Sequence, residues 1–142
     1  MGKVSNILAR KGQSAISVSS NTKVFDALKI MADKNIGSLV VLDDDKYLGI
    51  LTERDYSRKV ILAGKHSDEV SVIEIMSTNL PSVEPSDSIE HCMQLMSDKN
   101  IRYLPVFDGN ALAGIISISD VVTETILQQK ETIDQLQNYI QG

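Results

Sequence analysis

The sequence has little cysteine, little histidine and little positive charge. Cys92 is the only cysteine in 142 residues, which excludes an intrachain disulfide and any Cys-x-x-Cys pair. His66 and His91 stand far apart, with no carboxylate pattern joining them as ligands, so no metal site is expected. Fourteen Lys and Arg oppose nineteen Asp and Glu, a net charge of −5. That balance argues against nucleic acid as the main partner, because phosphate backbones need clustered cations. It leaves room for a small anion held by a few local arginines. No apolar run is long enough to span a bilayer, and no membrane association is expected. The opening Met1-Gly2-Lys3-Val4-Ser5-Asn6 lacks the apolar stretch of a secretory leader. Asn6 stands where a myristoylation motif wants Ser or Thr. The expected compartment is the cytoplasm.

What the chain does have is itself, twice. Met31-Ala32-Asp33-Lys34-Asn35-Ile36 returns as Met96-Ser97-Asp98-Lys99-Asn100-Ile101, and Gly49-Ile50-Leu51-Thr52-Glu53-Arg54-Asp55 returns as Gly114-Ile115-Ile116-Ser117-Ile118-Ser119-Asp120. Both matches share a spacing of 65 positions (31 to 96, 49 to 114). The same spacing places Val18 on Val83, Leu39 on Leu104 and Val41 on Val106. Ile7-Leu8 resembles Ile75-Met76 once about three residues are inserted. The chain therefore reads as two copies, 1–66 and 67–142.

Each copy predicts strand, helix, strand, strand, helix. The first strand is Ala15–Val18 or Pro81–Val83. Thr22 and Asp87 are expected to cap the helix that follows, Asp87 with Glu90 as a capping box. Val24, Ala27, Leu28 and Met31, or Ile89, Cys92, Met93 and Met96, recur at helical spacing. Asn35 and Asn100 suit the left-handed residue that ends a helix. The apolar runs Leu39–Leu42 and Leu104–Phe107 predict strands buried on both faces. Tight turns at Asp43–Lys46 and Asp108–Asn110 lead into strands Tyr47–Leu51 and Leu112–Ile116. A final helix starts near Glu53 or Ile118. The fold class is α/β (α+β), two small repeats packed sheet to sheet with pseudo-twofold symmetry, plus a C-terminal helix.

The element richest in chemistry is Thr52-x-x-Asp55, repeated as Ser117-x-x-Asp120. A hydroxyl residue followed three positions later by an acid is a helix-capping box, and capping needs nothing else. The same turn also offers unpaired backbone N–H groups to an anion. Its carboxylate suits the paired hydroxyls of a ribose, and Gly49 or Gly114 just upstream would let a flat ligand approach the backbone. The two roles are compatible. Lys34 and Lys99 suit helix C-termini. Cys92 aligns with Ala27 and reads as a small core residue.

The doubled Gly-Ile-[Ile/Leu]-[Thr/Ser]-x-x-Asp, with Asn35-Ile36-Gly37-Ser38-Leu39-Val40-Val41, Asn100-Ile101-Arg102-Tyr103-Leu104-Pro105-Val106 and the lead-in Ile75-Met76-Ser77, resembles the CBS-domain family. It is most similar to stand-alone tandem pairs (Bateman modules), and the resemblance covers nearly the whole chain. It implies a regulatory adenine-nucleotide-binding module and no enzyme. Its ligand would contain adenosine: AMP foremost, then ADP, ATP, NAD(H) or S-adenosylmethionine. Asp55 and Asp120 would hold ribose, with Thr52 and Ser117 at sugar or phosphate. Val18, Val83 and the backbone near Ser17 would line the adenine slot. Ile36, Gly37 and Ser38, with Tyr103, Leu104 and Pro105, would form the walls. Arg102, Arg54 and Arg58 are the candidate phosphate partners, each equally readable as surface charge. Ser119 stands where the first copy has Arg54, so the two sites are expected to bind unequally, with Asp55 in the better-equipped neighbourhood. No catalytic cofactor is implied.

The tail carries Val122, Ile126, Ile133, Leu136 and Ile140, with Gln129 at the skipped position. That is a narrow apolar stripe close to a coiled-coil seam. It suits packing on Val4–Leu8 or a homodimer contact, and family precedent favours the homodimer. The remaining alternative function is a ligand-free dimerisation or protein-interaction module acting on an unknown effector. No nucleophile with an adjacent base and no glycine-rich phosphate loop is present.

Overall fold

The computed structural model describes residues 2–12 and 15–141. The chain divides into two compact units. One is Ala15–Leu80; the other joins the N-terminal segment to the chain from Pro81 onward.

In the unit Ala15–Leu80, β1 (Ser17–Val18) runs parallel to β2 (Ser38–Asp43), and β2 pairs antiparallel with β3 (Lys46–Thr52). Leu39, Val40 and Val41 are all buried, as the continuous apolar run requires. The hairpin turns through Asp44 and Asp45, both left-handed at φ 49 and 64. That two-residue geometry matches the twist of the strands it joins. Helix α2 (Val24–Lys34) lays Val24, Ala27 and Met31 on Leu39, Val41 and Leu51. It ends at Asn35, whose φ 54 and ψ 50 are left-handed as expected. α3 (Glu53–Tyr56) widens into a π-helical turn, Ser57–Ile61, and α4 (Val72–Ile75) closes the unit.

The caps predicted at Thr22 and Asp87 do not form there. α2 has Lys23 at its N-cap with no side-chain bond, while Thr22 Oγ1 pairs with Ser19 Oγ at 3.0 Å. Its first N–H groups are taken by chain further on: Val24 donates to Val70 O (2.8 Å) and Phe25 to Ser67 O (2.9 Å). Backbone carbonyls thus satisfy the orphan donors that a cap would otherwise serve.

The second unit repeats this plan with a different lead-in. β4 (Tyr103–Asp108) and β5 (Ala111–Ser117) form the hairpin. The predicted strand Pro81–Val83 is reduced to one parallel bridge, Val83 to Val106. α5 (Ile89–Lys99) is capped by Ser88, whose Oγ accepts from His91 N at 3.1 Å. Asp87 instead accepts from Glu84 N (2.7 Å), tightening the turn ahead of the helix. Asn100 ends α5 at φ 54. Cys92 is fully buried, and burial first, then the Asp87 carboxylate, pushes its thiol up to about 11. Met93, expected in the core, is 40% exposed because it lies off the Ile89–Cys92–Met96 face.

α1 (Val4–Lys11) belongs to this second unit, although the sequence repeat counts it in the first copy. Val4 N donates to Asp87 O and Ser5 N to Pro85 O, while Ile89 N donates to Gly2 O. In the other unit Val72 N donates to Thr22 O and Ile73 N to Ser20 O. α1 therefore does for the second copy what α4 does for the first. The sequence repeat, cut at 66/67, and the spatial units are two different divisions of the chain.

α6 (Ile118–Gln141) begins in this core and runs out of it. Val121 is fully buried with Val4, Ile7 and Leu8 of α1. Glu124, 3% exposed, pairs with Arg10 of α1 and accepts from Gln128 Nε2 at 2.8 Å. The face that meets α1 is thus Val121 and Glu124. The apolar stripe stays uncovered within the chain, with Val122 at 50%, Ile126 and Ile133 at 54% and Leu136 at 57%.

Candidate functional site

Both acid turns fold as the pattern dictates. Thr52 N donates to Asp55 Oδ2 at 3.0 Å, and Asp55 N returns a bond to Thr52 Oγ1 at 3.1 Å. Ser117 N donates to Asp120 Oδ2 at 2.8 Å, and Asp120 N to Ser117 Oγ at 3.1 Å. Each is a closed capping box. The repeat equivalence extends to the peptide ahead of each turn. Glu53 N donates to Gly37 O (3.2 Å) and Ile118 N to Arg102 O (2.9 Å). Ser38 pairs with Thr52, and Tyr103 with Ser117, at the strand ends.

The surroundings of the two acids differ. Asp55 is 5% exposed. Beside the two Thr52 donors, Thr52 Oγ1 at 3.0 Å being the second, it takes Ser77 Oγ (2.9 Å) and Lys59 Nζ (3.0 Å) on Oδ1. Lys59 also donates to Ile75 O at 2.9 Å. Ser77 is locked in turn, since Ser77 and Ile50 exchange backbone bonds of 2.8 and 3.0 Å. A Cβ on Gly49 would lie 2.5 Å from Ser77 O. The glycine expected to admit a flat ligand admits a backbone instead.

Asp120 has a side chain 21% exposed. Its charge partner comes from α1: Lys11 Nζ sits 2.8 Å from Asp120 Oδ2 and 2.9 Å from Ile115 O. Among the described residues, the hydrogen bonds to this carboxylate all fall on Oδ2.

The other expected residues sort by burial. Ser17, Arg54, Arg58, Arg102 and Ser119 are exposed, and Ile36, Gly37, Ser38, Tyr103 and Ser117 are half-buried. Val18, Val83 and Leu104 are core side chains, so what they offer a ligand is backbone. Val83 N is bound to Pro105 O at 3.1 Å, which joins two residues expected to belong to the second copy's adenine slot and wall. Two cations went unread in the sequence. Lys59 was legible, four residues after Asp55 on a helix start. Lys11 was not, because nothing local links it to a residue on the far side of the chain. A cleft of about 330 Å³ lined by Leu8, Ala9, Pro85 and Ala111 lies at the opposite end of β5 from Ser117. Among the described residues no cluster of His, Cys, Asp or Glu has a metal-holding arrangement. No described helix is long and apolar enough to cross a membrane.

Comparison with known proteins gives the family. The CBS domain model matches residues 4–61 and 72–126. The mitochondrial CBS domain-containing protein CBSX3 of Arabidopsis thaliana is 36% identical, over 98% of this chain and 72% of its own. A solved structure described as a putative signal-transduction protein with CBS domains, from Burkholderia ambifaria, is 46% identical. It superposes at a TM-score of 0.86, covering 90% of this chain and 96% of that one. The CBS domain pair of protein MJ0100, solved with 5′-methylthioadenosine and S-adenosyl-L-methionine, is 26% identical with a TM-score of 0.76, covering 92% of this chain and 98% of its own.

Proposed function

This chain belongs to the CBS-domain family, a family of regulatory modules, and on that premise we propose that it binds an adenosine-containing ligand, with the Asp120 turn as its principal site. The observation that carries the reading is the contrast in carboxylate access. A ribose diol donates two hydrogen bonds, and it needs an acceptor not already saturated by buried donors. Asp120 meets that need with a side chain 21% exposed and bonds on one oxygen. Asp55 is packed and takes four donors. Val83, Tyr103 and Pro105 would lie on the adenine side in this reading, and the MJ0100 pair supplies a precedent for adenosyl ligands. AMP is the first ligand to test, followed by ADP, ATP, NAD(H) and S-adenosylmethionine. Binding would act on an effector protein by shifting an equilibrium between states of unequal affinity.

Calorimetry with that ligand panel tests the proposal. The expected result is binding abolished by Asp120→Asn and kept by Asp55→Asn. A ligand at about a hundred times its dissociation constant would add roughly 2.7 kcal/mol of stability, visible as a thermal shift. No binding by any of the six compounds removes the reading.

A second reading, compatible with the first, is that α6 joins two copies of the chain. Its Ile126, Ile133 and Ile140 fall on one heptad position, and Val122, Gln129 and Leu136 on the other. Isoleucine throughout the first position, with Leu136 at the second, leans toward a two-stranded parallel coil. In such a coil Gln129 would meet Gln129 of the second copy, donor to acceptor. Light scattering should give twice the chain mass, reverting to the chain mass in Ile133→Glu; a monomeric wild type would exclude the pairing.

A further inference from the structure

The lead-in segments complete the two acid turns by different devices. In the unit Ala15–Leu80 the work is divided. Ser77 bonds Ile50 through its backbone and Asp55 through its hydroxyl, and Lys59 adds the charge. In the second unit one ammonium does both parts. Lys11 Nζ reaches the carbonyl of Ile115, the repeat equivalent of Ile50, and the carboxylate of Asp120. Lys11 is 38% exposed and sits at the last residue of α1. Opening the first turn means moving backbone under Gly49. Opening the second means swinging one side chain with several rotatable bonds.

From this arrangement we infer that Lys11 is a specificity-determining gate on the Asp120 site, selecting adenosyl ligands that carry a phosphate over those that do not. The inference rests on the proposed adenosine site and refines it. A ribose diol that spans both oxygens of Asp120, one hydroxyl on each, competes with the ammonium for Oδ2. A nucleoside leaves that ammonium without its carboxylate partner. A nucleotide gives it a phosphate in exchange, and hydrogen bonds to charged groups are the stronger ones. The swap conserves the number of ion pairs only when phosphate is present. Ile115 O stays within reach as a neutral anchor while the charge changes partners.

The test is titration of AMP and of adenosine into the full-length chain, as wild type, Lys11→Met, Lys11→Arg and Asp120→Asn. Wild type should prefer AMP. Lys11→Met should cut the AMP-to-adenosine affinity ratio by about tenfold or more, with AMP weakened and adenosine equal or tighter. Lys11→Arg should keep most of the ratio, because it keeps the charge. Asp120→Asn should weaken both ligands together. A ratio unchanged in Lys11→Met, while Asp120→Asn still abolishes binding, overturns the gate and leaves the adenosine site standing. A wild type that binds neither compound overturns both. The wild-type chain also supplies a reading independent of any variant's folding. Its Lys11 Nζ resonance should move on saturation with AMP toward that of a phosphate-bound ammonium; an unmoved resonance at saturation overturns the gate.

Discussion

The two acid turns share sequence pattern, register and capping geometry, yet one is built in and the other is held by a latch. Asp55 is buried under four donors, one of them fixed by a backbone packed against Gly49. Asp120 is more open and leans on a lysine from the first helix of the chain. An internal repeat conserves the local box because the box is local: two side chains three positions apart and one helix start suffice. What reaches the box from outside is free to differ, and here it does. Identical motifs in one chain therefore need not carry identical roles.

The contrast can be broken or sharpened by substitution. The largest effect is expected from Arg10→Met, which strands the buried Glu124 carboxylate with Gln128 alone. A loss of about 3 kcal/mol in urea unfolding follows if that charge is uncompensated; a loss below about 1 kcal/mol would mean α1 is held mainly by Val4, Ile7 and Leu8. Next comes the acid pair itself. Asp55→Ala should cost about 2 kcal/mol, since it removes a cap and leaves several donors without an acceptor. Asp120→Ala should cost about 1 kcal/mol or less, because its ion pair is partly solvated. Equal losses would erase the distinction between a built-in and a latched turn. Gly49→Ala should then cost about 1–2 kcal/mol, because its new methyl meets a main-chain oxygen that must move; a neutral Gly49→Ala would show that Ser77 is loosely held.

A separate effect concerns alkaline pH. The folded thiol of Cys92 titrates at about 11, against 9.0 when unperturbed. The folded chain keeps a proton that the unfolded chain sheds, so this contribution is whole below pH 9 and fades as pH rises toward 11. Replacing Cys92 with Ala should flatten the fall of the urea midpoint across that window. An identical slope in both proteins would contradict the burial.

Much of this was legible from the repeat. Elements set by short-range pattern, such as the Leu39–Leu42 run and the Asn35 and Asn100 helix ends, lie where periodicity puts them. The capping boxes at Thr52 and Ser117 formed as read. Failures came where distant backbone supplied what a local side chain was expected to supply. Thr22 lost its cap because Ser67 and Val70 serve the N-terminus of α2, and Asp87 was drawn into the preceding turn while Ser88 took its place. Lys11 had no local signature, since its meaning depends on α1 packing with the second copy. The tail stripe is legible from its spacing alone, but the helix face beside it, with Val121 and Glu124, is the one that α1 uses.

That placement of α1 also sets an order of events. A ribosome delivers α1 first, then the whole of Ala15–Leu80, and only afterwards the residues on which α1 rests. Domains fold as units during synthesis, earliest made first. The first unit can close while α1 waits as a short solvated segment, too brief to be helical alone. The second unit closes only when α6 has emerged to receive Arg10, so its completion reports that both halves of the chain have been made.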